Sequence, residues 1–345
     1  MHNGILYLVT QDIREALLPI AGSEIIVNLT IMALGIALIF GLVTGSALVF
    51  TLLERKVCAF IQVRIGPNRV GPGGTLQSLA DMLKLMSKED IVPQGIDMWL
   101  WVLSPALIFV PSALIYAMFP FDDGVIFADV NIGLFLILAI TSQSVLPFLM
   151  GGYASNSKYA MIGGMRTVAQ MLAYEVPMVF ALMGVVMLTG SLKMSAIVEA
   201  QTDVWFVVLQ PLAFLIFMVA ALVESNRPPF NIVEGESEII AGPFTEYTGM
   251  RWALFFLAEF ANLLSISIMT TTLFLGGWHG PEFLPGMVWF AIKVMIMVLV
   301  YQWIGWTFPR LRIDHMLTFG WKVLLPIALV NVLLTGIGIY VFNWL

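Results

Sequence analysis

Carboxylates set close together beside a membrane can pass protons, and this chain carries such a set. Glu224, Glu234, Glu236, Glu238 and Glu246 fall on one stretch whose only basic residue is Arg227. In a helix Glu234 and Glu238 share a face and Glu236 points away. In an extended strand all three share a face. Crowded carboxylates raise one another's proton affinity, which brings exchange toward neutral pH. The plainer reading is a solvated acidic loop. Two further acids, Glu175 and Glu259, lie inside long apolar runs. A charge at the centre of a bilayer costs about 2.5–3.5 kcal/mol on insertion scales, so such groups face a protein interior or a file of water. Lys293 is also in an apolar run but is the weakest of these candidates, because it lies only a turn or two from the run's start, within reach of the interface by snorkelling.

A second chemistry is suggested by Glu54-Arg55-Lys56, followed by Gln62-Val63-Arg64-Ile65-Gly66-Pro67-Asn68-Arg69-Val70-Gly71-Pro72-Gly73-Gly74. Gly and Pro after a helix end turn the backbone tightly. Four basic side chains projecting from such a turn suit the wall of a cavity for a polar or anionic head group. Ordinary membrane anchoring is the alternative. The run is not a phosphate-binding P-loop, because Pro72 stands where that motif has its lysine. Phe308-Pro309-Arg310-Leu311-Arg312-Ile313-Asp314-His315 is a third polar stretch, readable either as an anchor or as part of a site.

The elements that position these groups follow from composition. The 345 residues are 60% hydrophobic and 11% charged. A soluble domain carries about a quarter charged residues, so lipid is the natural solvent. An all-α integral membrane protein is expected, a single polytopic unit over 1–345. A hydrocarbon core takes about 20 apolar residues per helix. That gives eight transmembrane spans near 25–53, 98–119, 131–152, 163–189, 205–224, 252–276, 287–307 and 322–344. Trp99, Trp101, Tyr153, Trp205, Trp252, Trp278, Trp321 and Trp344 mark the interfaces. Residues 77–90 alternate apolar and charged positions as an interfacial amphipathic helix would. Residues 1–24 are too charged for a cleaved signal and suggest a short interfacial helix.

The eight-span arrangement places thirteen of the sixteen Lys and Arg residues on one side, in the loops 54–97, 153–166, 225–251 and 308–322. The alternate loops 120–130, 190–204 and 277–286 hold only Lys193. The positive-inside rule makes the basic side cytoplasmic and puts both termini opposite. Clustered acids have no topological purpose on that side, which favours a function for them. The single cysteine, Cys58, excludes a Cys-ligated iron–sulfur cluster within the chain. His2, His279 and His315 all lie outside the long apolar runs, which argues against a buried bis-His haem and a His/Cys metal site. No cofactor is therefore expected in this chain, and electrons for any redox reaction come from another subunit.

These motifs together resemble one family. Glu54-Arg55-Lys56, the Gln62–Pro72 run, Ala80-Asp81, Lys84 and Lys88-Glu89-Asp90 are similar to the first cytoplasmic loop of the quinone-site membrane subunit of respiratory complex I, the H-subunit family of NADH:quinone oxidoreductase. Tyr153-Ala154-Ser155-Asn156-Ser157-Lys158-Tyr159, Ala173-Tyr174-Glu175, Arg227-x-Pro229-Phe230, Glu236-x-Glu238, Glu246-Tyr247 and Phe308-Pro309-Arg310-x-Arg312-x-Asp314 resemble its later landmarks, in order.

The resemblance implies a helical subunit at the junction of membrane and peripheral arms, in a bacterial plasma membrane. It implies a quinone substrate entering between its helices, and partner subunits in both arms, with the terminal iron–sulfur cluster on a peripheral one. Nucleic acid is not a partner. It maps proton-coupling carboxylates onto Glu175, Glu224, Glu234, Glu236, Glu238, Glu246 and Glu259, and quinone-channel basic residues onto Arg55, Arg64, Arg227 and Arg310. Asn231 stands where the family usually has Asp. Ile232-Val233 replaces Leu-Pro, the residues around Pro243-Phe244 replace Gly-Tyr, and Ser142 aligns with a glutamate of many members. Two alternatives are a homologous subunit of a membrane-bound hydrogenase or ferredoxin-fed complex, and a stand-alone secondary transporter. The complete Gly-Pro-Asn-Arg-Val-Gly-Pro run favours the quinone branch over the first. The lack of an internal inverted repeat speaks against the second.

Overall fold

The computed structural model describes Arg14 and residues 24–233, 235–281 and 283–342, without the side chains of Glu236, Ser237 and Phe342. The expected interfacial segment before residue 24, both extreme termini and Trp344 therefore lie outside the described residues.

Among the described residues the fold is helical, without a named strand. The order is α1 (Glu24–Ile61), α2 (Gln77–Ser87), α3 (Met98–Leu114), α4 (Gly133–Ser142), α5 (Val145–Ala154), α6 (Lys158–Thr189), α7 (Met194–Glu199), α8 (Phe206–Leu209), α9 (Pro211–Glu224), α10 (Glu236–Ile239), α11 (Gly249–Phe274), α12 (Gly286–Thr307), α13 (Ile313–Phe319) and α14 (Leu325–Phe342). A 3₁₀ turn, Ile115–Met118, extends α3, and a π-helical turn, Gly320–Leu324, joins α13 to α14. Seven described helices or joined helices are long and apolar enough to cross a membrane.

The eighth expected span, 205–224, is not one continuous helix. Gln210 leaves helical geometry at φ −132° and ψ 60°, and α9 restarts at Pro211. Proline has no N–H and forces its predecessor out of the α region, so the sequence itself kinks this stretch. The Gln210 side chain is then held in place: its amide Nε2 donates to the Gly184 carbonyl and to Thr335 Oγ1, both at 3.0 Å.

The expected 131–152 span is also divided, at Gln143 and Ser144. Pro147 lacks the N–H that would bond the Gln143 carbonyl. The turn tightens instead, with Ser144 N–H donating to the Thr141 carbonyl at 2.9 Å and Leu146 N–H to Gln143 at 3.2 Å. The first span overshoots its expected end. Its 38 residues reach about 57 Å at 1.5 Å each, well beyond a hydrocarbon core of about 30 Å. Its last turns thereby carry Glu54, Arg55 and Lys56 out of the apolar layer.

Packing centres on two helices. α6 lies against α5, α9 and α14, and α11 against α1, α3 and α12. α5 and α6 meet at glycines: a Cβ on Gly152 would stand 2.6 Å from the Ala160 carbonyl oxygen. Small residues at such crossings let membrane helices approach closely.

The four basic loops share one end of the molecule. Leu311 N–H donates to the Pro229 carbonyl, Ile91 N–H to Thr248 Oγ1, and Arg166 pairs with Glu238. At the other end Lys193 pairs with Asp129 at 2.7 Å, and Gln201 Oε1 accepts from Gly276 N–H. α2 confirms the amphipathic segment, ending at Ser87 rather than 90. Trp101 and Trp278 are buried within the chain. Trp101 stacks on Tyr247 and carries the Arg251 guanidinium 4.0 Å above its ring.

Candidate functional site

A cavity of about 520 Å³ opens beside the end of α1. Glu54, Arg55 and Cys58 of α1, Arg64 and Pro67 of the following turn, and Phe260 and Trp306 of α11 and α12 line it. The Gly/Pro turn is fastened from behind. Lys56 Nζ donates to the Gly73 carbonyl at 2.8 Å, and Arg55 pairs with Asp81 of α2 at 2.5 Å. Burial works to raise the Asp81 carboxyl, but hydrogen bonds from Arg55 and Gln77 and the Arg55 and Lys84 charges hold it below its ordinary value. Arg64 reaches toward Cys58, its Nη2 lying 3.9 Å from Sγ.

Behind the cavity sits Arg227, 8% exposed. Its position follows from the end of α9. Asn226 takes the left-handed φ of 52°. Its N–H bonds the Val223 carbonyl at 3.0 Å, and Arg227 N–H bonds Leu222 at 3.2 Å. This is a Schellman turn with asparagine at the position that tolerates that backbone. It points Arg227 back between two carboxylates. Nη1 meets Glu54 at 2.6 Å, Nε lies 3.2 Å from Glu259, and the guanidinium lies 4.3 Å from the Phe260 ring centre. Glu54 faces both the cavity and Arg227, so an electrostatic connection runs from the cavity wall to Glu259.

A second group of acids sits at the division between α4 and α5. Ser142 Oγ donates to Glu175 Oε2 at 3.2 Å, and Ser144 Oγ to Glu224 Oε1 at 3.4 Å. The break caused by Pro147 thus presents two hydroxyls to two carboxyls. Glu224 is buried at the end of α9, and Glu175 is half-buried on α6. The neighbouring Tyr174 anchors α13, donating to the Met316 carbonyl at 3.0 Å. Ser142, where many members of the resembled family have a glutamate, therefore contacts an acid instead of being one.

The third group is Glu238, exposed and clamped by Arg166 at 2.5 Å and by Arg310. The Arg166 hydrogen bond leads in holding its carboxyl below the ordinary range, outweighing its slight burial, and both guanidinium charges add to it. For this residue the sequence expectation of mutual elevation is reversed. Glu246 lies half-buried just before α11. Glu234 and the side chain of Glu236 fall outside the described residues.

The expected basic residues separate in the same way. Arg55 and Arg64 line the large cavity; Arg227 and Arg310 do not, and bind carboxylates instead. Glu54, Ser142 and Ser144 join the site; in the sequence Glu54 stands out only as part of its charged motif, Ser142 only by alignment, and Ser144 carries no signal. Lys293 does not snorkel. It is 8% exposed and donates to the carbonyls of Leu275 (2.6 Å), Gly277 (3.0 Å) and His279 (2.5 Å), with Trp205 4.4 Å away on its other side.

Comparison with known proteins gives the same family as the motifs. Residues 34–336 match the NADH dehydrogenase family model. The H subunit of NADH-quinone oxidoreductase from Carboxydothermus hydrogenoformans is 46% identical over 322 residues, 92% of each chain. That from Geobacillus kaustophilus is 50% identical over 315 residues, 88% of this chain and 94% of its own. That from Dehalococcoides mccartyi is 48% identical over 306 residues, 89% and 86% respectively. This chain belongs to the family of NADH-quinone oxidoreductase H subunits.

Proposed function

We propose that this chain forms the quinone-access chamber of a proton-pumping oxidoreductase of the complex I type and couples quinone reduction to proton movement through its carboxylates. Its partners are the other membrane-arm subunits and the peripheral-arm subunits that hold the terminal iron–sulfur cluster. It lies in the plasma membrane with the charged loops cytoplasmic, crossing eight times with the kinked 206–224 stretch counted.

The observation that carries this reading is the double engagement of Glu54. Its carboxylate lines the 520 Å³ cavity and also binds Arg227, which holds Glu259. A polar head group entering beside Arg55 and Arg64 changes the field at Glu54. Arg227 then redistributes between Glu54 and Glu259, and the change passes inward to Glu224 and Glu175. The Glu238 cluster ties α6, α10 and the stretch after α12 together, so movement there reaches the same loop. Glu234, Glu236 and Glu246 belong to that loop and complete the proposed set.

Cys58 offers a direct test, because it is the only cysteine in the chain and lines the cavity. In the assembled complex, saturating quinone is expected to slow the labelling of Cys58 by a small thiol reagent. An unchanged labelling rate would place the quinone elsewhere.

A further inference from the structure

Glu259 also borders a second, much smaller space of about 10 Å³. Glu259, Asn226, Asn231 and Asn262 supply its polar lining, and the rings of Phe148 and Phe244 are among its apolar walls. That volume is room for about one water, which needs two to four polar partners. Asn226 is 6% exposed, and its Oδ1 is buried without a hydrogen-bond partner. An orphaned buried acceptor costs roughly 1–3 kcal/mol. The side chain is not at liberty to swing out to solvent, since its backbone is the left-handed residue of the Schellman turn that also sets Arg227. Asn262 is 9% exposed and stands one turn beyond Glu259 on the same face of α11.

We propose that this space is a single-water site, and that its water bridges Asn226 Oδ1 and the Glu259 carboxyl. The proposal rests on the coupling role given to Glu259 above. Water donates one hydrogen to Asn226 and the other to Glu259, and accepts from the amide of Asn262. Glu259 then has Arg227 on one side and, on the other, a water that can follow its change of charge. The water donates to the carboxylate and turns to accept from the carboxylic acid, so Glu259 keeps a hydrogen bond in both protonation states. Asn231 fits the site as an amide: it adds polarity without a second negative charge beside Glu259. Asn226 and Asn262 are positioning residues, because they act through the water.

The test uses the whole complex, purified and reconstituted in liposomes. Asn262→Leu keeps the side-chain size and removes the amide. It is expected to assemble with the wild-type KM for quinone and to lose at least about tenfold in coupled turnover and proton translocation. Asn262→Ser, which leaves room and a hydroxyl, is expected to retain both. The solvent deuterium isotope effect on turnover should rise in Asn262→Leu, as the change of protonation at Glu259, now without its water, becomes the slow step. A packing defect alone would leave it unchanged. Wild-type turnover and isotope effect in Asn262→Leu, with Glu259→Gln inactive, would overturn the water site and leave the coupling role standing. Full activity in Glu259→Gln as well would overturn both. Should Asn262→Leu fail to assemble, a map of the wild-type complex that resolves ordered water decides: density between Asn226 Oδ1 and Glu259 supports the site, and its absence there overturns it.

Discussion

Arg227 and Lys293 are both cations buried to 8% exposure among apolar helices, and the fold satisfies them in opposite ways. Arg227 sits between two carboxylates on the end of the molecule that carries the cavity. Lys293 sits in three backbone carbonyls and against Trp205 at the other end. Carboxylates change charge when they take a proton; carbonyls do not. The first arrangement can therefore answer a nearby chemical event, whereas the second is a fixed fastening of the α11 C-terminus to α12. Burial of a charge thus does not by itself mark a functional site. Partners that can titrate are what the proposed coupling requires.

Removing either cation separates the two cases. Arg227→Met leaves Glu54 and Glu259 facing each other without a counter-charge, and breaking such a buried pairing costs about 3–5 kcal/mol. Quinone reductase activity is expected to vanish, with the loss visible per assembled complex on a native gel. Lys293→Met orphans three acceptors at about 1–3 kcal/mol for each that finds no new donor. Thermal stability should fall, while turnover per assembled complex stays near wild type. Equal loss of turnover in both variants would erase the distinction.

Surface charges should have smaller effects. Glu238 has a depressed carboxyl, so its pairs with Arg166 and Arg310 stabilise above the ordinary value of 4.5 and are lost as pH falls below it. Because the group is largely exposed, Glu238→Gln should remove under about 1 kcal/mol, read as a flatter stability curve below that pH. His279, at the opposite end, is depressed by burial and then by the Lys293 charge, against opposing contributions from the Val198 backbone, Glu199 and Asp123. Its folded form favours the neutral ring, so stability drops as pH falls from 6.5 toward the lower folded value. His279→Gln should abolish that slope and leave activity at neutral pH unchanged.

The helices are legible in the sequence because apolar length and interrupting charge are local properties. The interruptions within them are harder to see. Pro147 and Pro211 stand in plain view, yet a hydropathy window averages over the turn that each one breaks. The cavity-lining role of Arg55 and Arg64 follows from the helix end and the Gly/Pro turn after it, which bear them. The partners of Arg227 do not, since Glu54 is 173 residues away along the chain and only packing brings them together. Lys293 misleads for a similar reason: its position near a helix start suggests an escape to water, and nothing local reveals the carbonyls that hold it. Glu238 shows the limit of reasoning from crowding, because two arginines from other segments bind it and outweigh its slight burial.

The central claim is that acids beyond the cavity couple its chemistry to proton movement. Glu175 tests this most directly, because it does not line the cavity and so should not contribute to quinone binding. The measurement is quinone turnover together with proton translocation by the reconstituted Glu175→Gln complex. An unchanged quinone KM with loss of coupled turnover and translocation is the predicted result. Wild-type turnover and wild-type translocation would contradict the account.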